Sequence, residues 1–168
     1  SMRSKGVTLF LEPKALYNSV DAASVVPDDF EVPFGKARIR REGSDLSIIT
    51  YGNTTHLCLK AADRLAKENG WNVEVVDIRS LIPLDKETIF ASVQKTSKVL
   101  VVHEDKVFSG FGAELAATIG TEMFRYLDAP IQRVGSTFTP VGFNPILEHA
   151  ILPSEDKILK AAKELLEY

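Results

Sequence analysis

Three histidines, one cysteine and a closely spaced pair of glycines are the residues from which chemistry could be built in this chain. Gly110-Phe-Gly112 follows an apolar run and opens a helical stripe, the place where a dinucleotide fingerprint would sit. Leu115 takes the position of the third glycine, and no acidic residue ends a second strand in register after it. The spacing therefore favours a tight turn into a helix, although a helix N-terminus there could still hold an anion. His103-Glu104-Asp105 ends a strand at the sheet edge where α/β folds carry chemistry. A catalytic or metal role competes there with a strand-end polar turn. The turn is favoured, because His56 and His149 show no ligand spacing with it. Glu148-His149 lies in a proline-rich stretch and reads as a surface turn. Serine hydrolase chemistry would want Gly-x-Ser-x-Gly, which is absent. Cys58 has no visible base partner and reads as a helix-core thiol. Arg79 could meet an anion at the sheet edge, but pairing with Asp77 or Asp85 is the favoured reading. Spacing alone gives an α/β domain without a convincing active site of its own.

The elements that would position these residues alternate between strand and helix. Leu46 to Tyr51 is an apolar run suited to a buried strand. Thr54 to Asn69 follows with helical spacing at Leu57, Ala61 and Leu65, and Gly70 is its stop. Val73 to Ile78 is the next strand. Asp85 caps a helix whose inner face is Ile89, Phe90 and Val93. Lys98 to His103 is a third strand, and a helix with a stripe at Phe111, Leu115, Ile119 and Met123 comes next. Ile131 to Val134 is a short fourth strand. Ser154 caps the last helix, with Glu155 and Asp156 in its first turn. The fold class is therefore α/β: three layers, a mainly parallel sheet with helices on both faces. Two stretches, Glu12 to Ser44 and Gly135 to Pro153, hold three prolines each and little periodicity beyond a short strand near Ala37 to Arg40. Loops of that length are usually functional or lie over another chain.

The chain has 168 residues, 45% of them hydrophobic and 26% charged, so one packed domain is expected and disorder is not. A formal net charge of −3 gives no footprint for nucleic acid. The basic cluster from Lys36 to Arg41 has acidic neighbours and reads as a solvated strand face. One cysteine cannot form an intrachain disulfide, which points to a reducing compartment. No apolar run approaches the roughly 18 residues needed to span a membrane, so no membrane partner is expected. The apolar run from Val7 to Leu11 begins almost at once, as in a chain cut from something longer.

The strings themselves say more. Phe10-Leu-Glu-Pro-Lys-Ala-Leu-Tyr17, Glu31-Val-Pro-Phe-Gly-Lys-Ala37, Arg41-Glu-Gly-Ser-Asp45 and Thr50-Tyr-Gly52 open a series of blocks. Val76-Asp-Ile-Arg-Ser-Leu-Ile-Pro-Leu-Asp85, Val101-Val-His-Glu104, Gly110-Phe-Gly-Ala-Glu114, Leu127-Asp-Ala-Pro130 and Leu152-Pro-Ser154 continue it. In this order they resemble the second half of the β subunits of thiamine-diphosphate-dependent 2-oxo acid dehydrogenases, the pyruvate and branched-chain enzymes. The resemblance implies a transketolase C-terminal-domain-like fold over residues 45–168, with residues 1–44 as the tail of a preceding domain and a linker. It implies that thiamine diphosphate and magnesium belong to the parent enzyme and are not bound by this fragment, which lacks a Gly-Asp-Gly motif. The fragment would then be an assembly domain without a catalytic residue. Its implied partners are its own symmetry mate, the cofactor-binding domain and α part of the same enzyme, and the subunit-binding domain of the lipoyl acyltransferase core. That last domain would be held by Asp128 and by the chain-terminal carboxylate at Tyr168. Bacterial cytoplasm is the implied location, with the mitochondrial matrix as the alternative. Ser109 departs from the family by replacing a glycine just before Gly110. The competing readings are the C-terminal domain of a transketolase or deoxyxylulose-phosphate synthase, and a stand-alone anion- or nucleotide-binding α/β module.

Overall fold

The computed structural model of the chain describes residues 4–17, 19 and 25–168, which fall into two units, 1–30 and 31–168. Within the first unit a short 3-10 helix spans Lys14–Leu16, and the Tyr17 hydroxyl donates to the Glu12 carboxylate. Val7, Leu9, Phe10 and Leu11 in that unit are exposed.

The second unit holds a five-stranded sheet and five α-helices. In chain order these are β1 (Arg38–Arg41), β2 (Leu46–Thr50), α1 (Thr54–Asn69), β3 (Val73–Asp77), α2 (Lys86–Thr96), β4 (Val99–Lys106), α3 (Phe111–Glu122), β5 (Gln132–Ser136), α4 (Pro145–Ile151) and α5 (Glu155–Leu166). The strand order is β1-β3-β2-β4-β5, and only β1 runs antiparallel, against β3. All five residues of β2 are buried, as its continuous apolar run requires of a central strand covered on both faces.

Right-handed crossovers place α1 on one face of the sheet and α2 and α3 on the other, because the chain moves from β2 to β3 in one direction and then back to β4 and β5. Two cores follow. Leu46, Ile48, Val73, Val75, Leu100 and Val102 face α1 and α5. Ile49, Val76, Val99 and Val101 face Ile89 and Val93 of α2 and Leu115 and Ile119 of α3. The alternation of side chains along each strand makes this division.

The helix ends follow their residues. Gly70 closes α1 in the left-handed region at φ 74°, open to glycine without strain. Asp85 caps α2 by accepting from the Thr88 N–H at 3.2 Å, and Ser154 caps α5 by accepting from the Lys157 N–H at 3.3 Å.

Several expectations need correction. Ile89 and Val93 are buried on the inner face of α2 and Phe90 packs partly buried against the same core, but Ser92 and Thr96 share that face, bonded through their hydroxyls to the buried Ser47 at 2.6 and 2.7 Å. The third parallel strand does not stop at His103 but runs to Lys106, where it pairs with Ser136. Glu148 and His149 lie on α4 rather than in a loop; the Asn144 side chain accepts from the Ile146 N–H at 2.9 Å and Pro145 fills the first helical turn. The short strand expected near residues 37–40 is present as β1, at the edge of the sheet.

Candidate functional site at the carboxyl edge of the sheet

The chain leaves β2 towards β3 on one side and returns to β4 on the other, so the crevice of a doubly wound sheet opens between the carboxyl ends of β2 and β4. Tyr51, Gly52 and Asn53 come from β2, and Glu104 and Asp105 from β4. Asn53 Nδ2 donates to Glu104 Oε2 at 3.1 Å across the opening. Tyr51 lies over His103 with ring centroids 6.3 Å apart and planes 19° from parallel, and meets Phe111 edge-on at 6.1 Å. Aromatic rings thus pack where a ligand would enter.

His103 is the centre of this packing. It has no exposed surface, and neither ring nitrogen has a hydrogen-bond partner among the described residues. A Cβ on Gly112 would overlap the imidazole; one on Gly110 would lie 2.9 Å from its Cε1, and one on Gly135 would lie 3.1 Å from its Nε2. Gly112 is explained by room for the histidine ring and Gly110 first by the Lys106 carbonyl, which a Cβ would overlap, with no phosphate invoked. Ser109, ahead of it, takes φ 62°, the left-handed conformation a glycine would adopt freely.

Burial pushes the His103 imidazole below its ordinary value; the Asp105 charge works against this and Arg133 adds to it. Burial, followed by the Asp105 charge, raises the Tyr51 phenol to about 12. Lys106 Nζ is also out of solvent without an acceptor among the described residues.

The remaining candidates do not converge on this place. Cys58 is fully buried on α1 and burial lifts its thiol to about 12, which leaves it a packing group. Arg79 donates through Nη2 to the carbonyls of Lys36 and Ala37 at 2.7 and 3.1 Å, and its N–H donates to Asp77. It fastens the segment before β1 to the end of β3, a structural role. Lys36, Arg40 and Arg41 pair with Glu87, Asp77 and Asp63, as a balanced strand face requires. Among the described residues no three His, Cys, Asp or Glu side chains gather as a metal set would.

Sequence reasoning passed over two features. Glu74 interrupts the Val73 to Ile78 run and is fully buried, held by the Lys95 ammonium; an open groove of about 490 Å³ beside it is lined by Lys36, Ile39, Glu87 and Ala91. The second is an apolar surface. Phe108 and Phe138 meet with centroids 4.8 Å apart, and each remains more than half exposed. The excursion that carries Phe138 also carries Phe143, fully exposed, and Ile146, 78% exposed; the Thr137 N–H to Ile151 carbonyl bond of 3.0 Å ties its two ends. The composition of this stretch was legible, but its exposure was not.

Asp128 and Tyr168 are both exposed. The Asp128 N–H donates to the Ser97 carbonyl at 2.9 Å, and Lys98 Nζ donates to the Leu166 carbonyl at 3.2 Å, two residues before Tyr168.

The profile of the transketolase C-terminal domain matches residues 35–158. The chain belongs to the transketolase C-terminal domain family. Among its relatives, the mitochondrial pyruvate dehydrogenase E1 component subunit beta-2 of Oryza sativa subsp. japonica is 39% identical over 165 residues, covering 97% of this chain and 44% of the relative. The 2-oxoisovalerate dehydrogenase subunit beta of Bacillus subtilis is 39% identical over 169 residues, covering 100% of this chain and 51% of the relative. A solved split-gene transketolase, an inactive beta4 tetramer, superimposes with a TM-score of 0.73 at 26% identity over 86% of this chain and 46% of that one. The chain spans about half the length of the curated relatives it matches. The transketolase-type fold expected from the sequence blocks is therefore present, and the likeness to dehydrogenase β subunits runs along the whole chain. These relatives include a mitochondrial and a bacterial protein. No helix among the described residues of this transketolase-type domain is long and apolar enough to cross a membrane.

Proposed function

We propose that this chain is the assembly domain of the decarboxylase component of a 2-oxo acid dehydrogenase complex, which oxidatively decarboxylates pyruvate or a branched-chain 2-oxo acid and passes the acyl group to lipoyl groups. The observation that carries the reading is the pairing of a crevice filled by its own aromatic rings with an uncovered apolar surface at Phe108, Phe138, Phe143 and Ile146. An apolar surface of this kind marks a protein contact. The occupants of the chain's surfaces are its symmetry mate and the α part and cofactor-binding domain of the same enzyme. Residues 1–44 are the tail of a preceding domain and the linker, and the sheet draws β1 from them.

Thiamine diphosphate and magnesium would do their chemistry in the other parts of the enzyme. The described residues of this chain offer no metal set, and its sequence has no Gly-Asp-Gly, so no step is assigned to a residue here. Asp128 and Tyr168 supply the docking point for the basic subunit-binding domain of the acyltransferase. The exposure of Asp128, whose N–H is fixed to the Ser97 carbonyl, supports this, because an exposed carboxylate would draw a cationic partner. Bacterial cytoplasm is the proposed location.

The similarity to a split-gene transketolase favours one second reading, the C-terminal domain of a transketolase. One experiment separates the two. The intact parent enzyme, given thiamine diphosphate and magnesium, is assayed with pyruvate, the branched-chain 2-oxo acids and 2-oxoglutarate against an artificial electron acceptor, in wild-type form and as Asp128→Asn. Turnover of one 2-oxo acid, with weaker binding of the acyltransferase domain to Asp128→Asn, is the expected result. Ketol transfer between sugar phosphates instead would move the domain to the transketolase side. Unchanged affinity of Asp128→Asn would remove Asp128 from the docking surface.

A further inference from the structure

The assembly role makes no use of His103, and its surroundings are unusual for a histidine. The ring has no exposed surface, and both nitrogens are without partners among the described residues. A neutral imidazole has one donor and one acceptor, so it already sits there at some cost; a cation, with two donors, would fare far worse. Four elements close on it. β2 contributes Tyr51, stacked at 6.3 Å; the start of α3 contributes Gly110 and Gly112; β5 contributes Gly135; and β4 carries the ring itself.

We infer that His103 is an acid-sensitive latch: protonation of its buried ring opens the junction between β4 and α3. The charged groups near the ring are few. Asp105, on the same strand, favours the cation, and Arg133 on β5 disfavours it. Lys106 is three residues further along β4 and carries an unpartnered buried ammonium, so it offers the imidazolium no relief. From β2 comes only the Tyr51 phenol, which stays neutral throughout. α3 faces the ring with glycine backbone and with the positive end of its own dipole, which repels a cation. A ring that gains a proton must therefore leave the cradle or reach solvent. The turn from Val107 to Gly110, whose Ser109 is held at φ 62°, joins the two elements that would part.

The sign follows from linkage. A histidine in the unfolded chain titrates near about pH 6.5. Burial lowers the value in the folded chain, so below that pH the unfolded chain binds more protons and stability falls as the solution becomes more acid. Above it the latch contributes no pH dependence. This behaviour belongs to the chain itself and does not depend on the assembly role.

The test is urea unfolding of the 168-residue chain between about pH 8 and about pH 5.5, beside the His103→Asn variant, which cannot titrate there. The expected result is a fall of roughly severalfold in the wild-type folding constant across that range and a flat profile for His103→Asn, whatever its stability at neutral pH. A slope that survives in His103→Asn overturns the proposal. Should His103→Asn not fold, proton NMR of the wild type decides. The three imidazole Cε1 signals are assigned with His56→Gln and His149→Gln. His103 is expected to hold its neutral position well below about pH 6.5, with the amide signals of residues 109–113 changing together with it when it finally titrates. Titration near about pH 6.5 in the folded chain, with those amides unmoved, also overturns it.

Discussion

Gly112 shows how one absent side chain can shape a turn. A methyl group there would overlap the His103 ring from the helix side, and the ring cannot retreat because Gly110 and Gly135 already admit it closely from two other directions. Alanine is intrinsically better than glycine inside a helix by about 1 kcal/mol, but overpacking costs roughly 1–3 kcal/mol. Gly112→Ala is expected to be net destabilising, lowering the melting temperature by a few degrees in a thermal scan; an unchanged or higher value would show that the ring has room to move. None of this was legible in the sequence. Gly110-Phe-Gly112 was readable as a turn into a helix, which it is. The partners that require the glycines are the His103 ring, nine residues before Gly112, and the Lys106 carbonyl beside Gly110, and their placement depends on how β4 and α3 meet. The sequence presented His103 beside Glu104 and Asp105, both exposed, so the triplet looked like a polar turn; a buried ring at the last inward-facing position of a strand looks the same on paper.

At the scale of elements, caps and apolar periods were the reliable signals. Thr54–Asn69 was readable to the residue because Gly70 ends it, and Ser154 marked the start of α5 equally well. α4 was missed although Asn144-Pro145 is a proper start, because three prolines in the surrounding stretch outweighed a helix of only seven residues with no buried face. Ile89 and Val93 on the inner side of α2 were legible, but Ser92 and Thr96 beside them were not, because they are hydroxyl residues paired with a third hydroxyl on β2, a partnership without an apolar signature. Asp85 is the element-scale anchor. Its carboxylate accepts from the Thr88 N–H, the Thr88 hydroxyl at 2.7 Å and the Ala37 N–H at 2.8 Å, so it joins α2 to the approach of β1. Burial works against its charge, but these bonds outweigh it and hold the carboxyl below its usual range. The stability it contributes is therefore present above about pH 3.9 and lost as the pH falls through the folded value. Asp85→Ala is expected to cost roughly 2–3 kcal/mol, read as a lower urea midpoint at neutral pH with an unchanged slope.

At the scale of the whole molecule, the exposed apolar side chains are unevenly placed. Phe138, Phe143 and Ile146 contribute little to the chain's own cores, so changing them should leave its stability within about 0.5 kcal/mol. Phe143→Asp is accordingly expected to unfold like the wild type in isolation and to weaken assembly of the parent enzyme, seen as dissociation in analytical ultracentrifugation. A variant that unfolds early would mean the side chain packs within its own domain. Family and fold could be read from the order of sequence blocks, since most of the blocks after residue 40 fall at a strand end or a helix start of one sheet. The apolar surface could not, because the same phenylalanines would have been equally at home in a core.

β1 is the one antiparallel strand, and it comes from the stretch ahead of residue 45. Its presence settles where such a domain can be cut. A chain trimmed to begin at residue 45 would leave β3 with a row of unpaired amides and carbonyls, the template on which one sheet recruits the strand of another. It would also strip Asp85 of its Ala37 partner. β1 therefore acts as the selvedge of the sheet, and a chain that loses it would be prone to grow into fibrils or precipitate rather than stay a separate molecule.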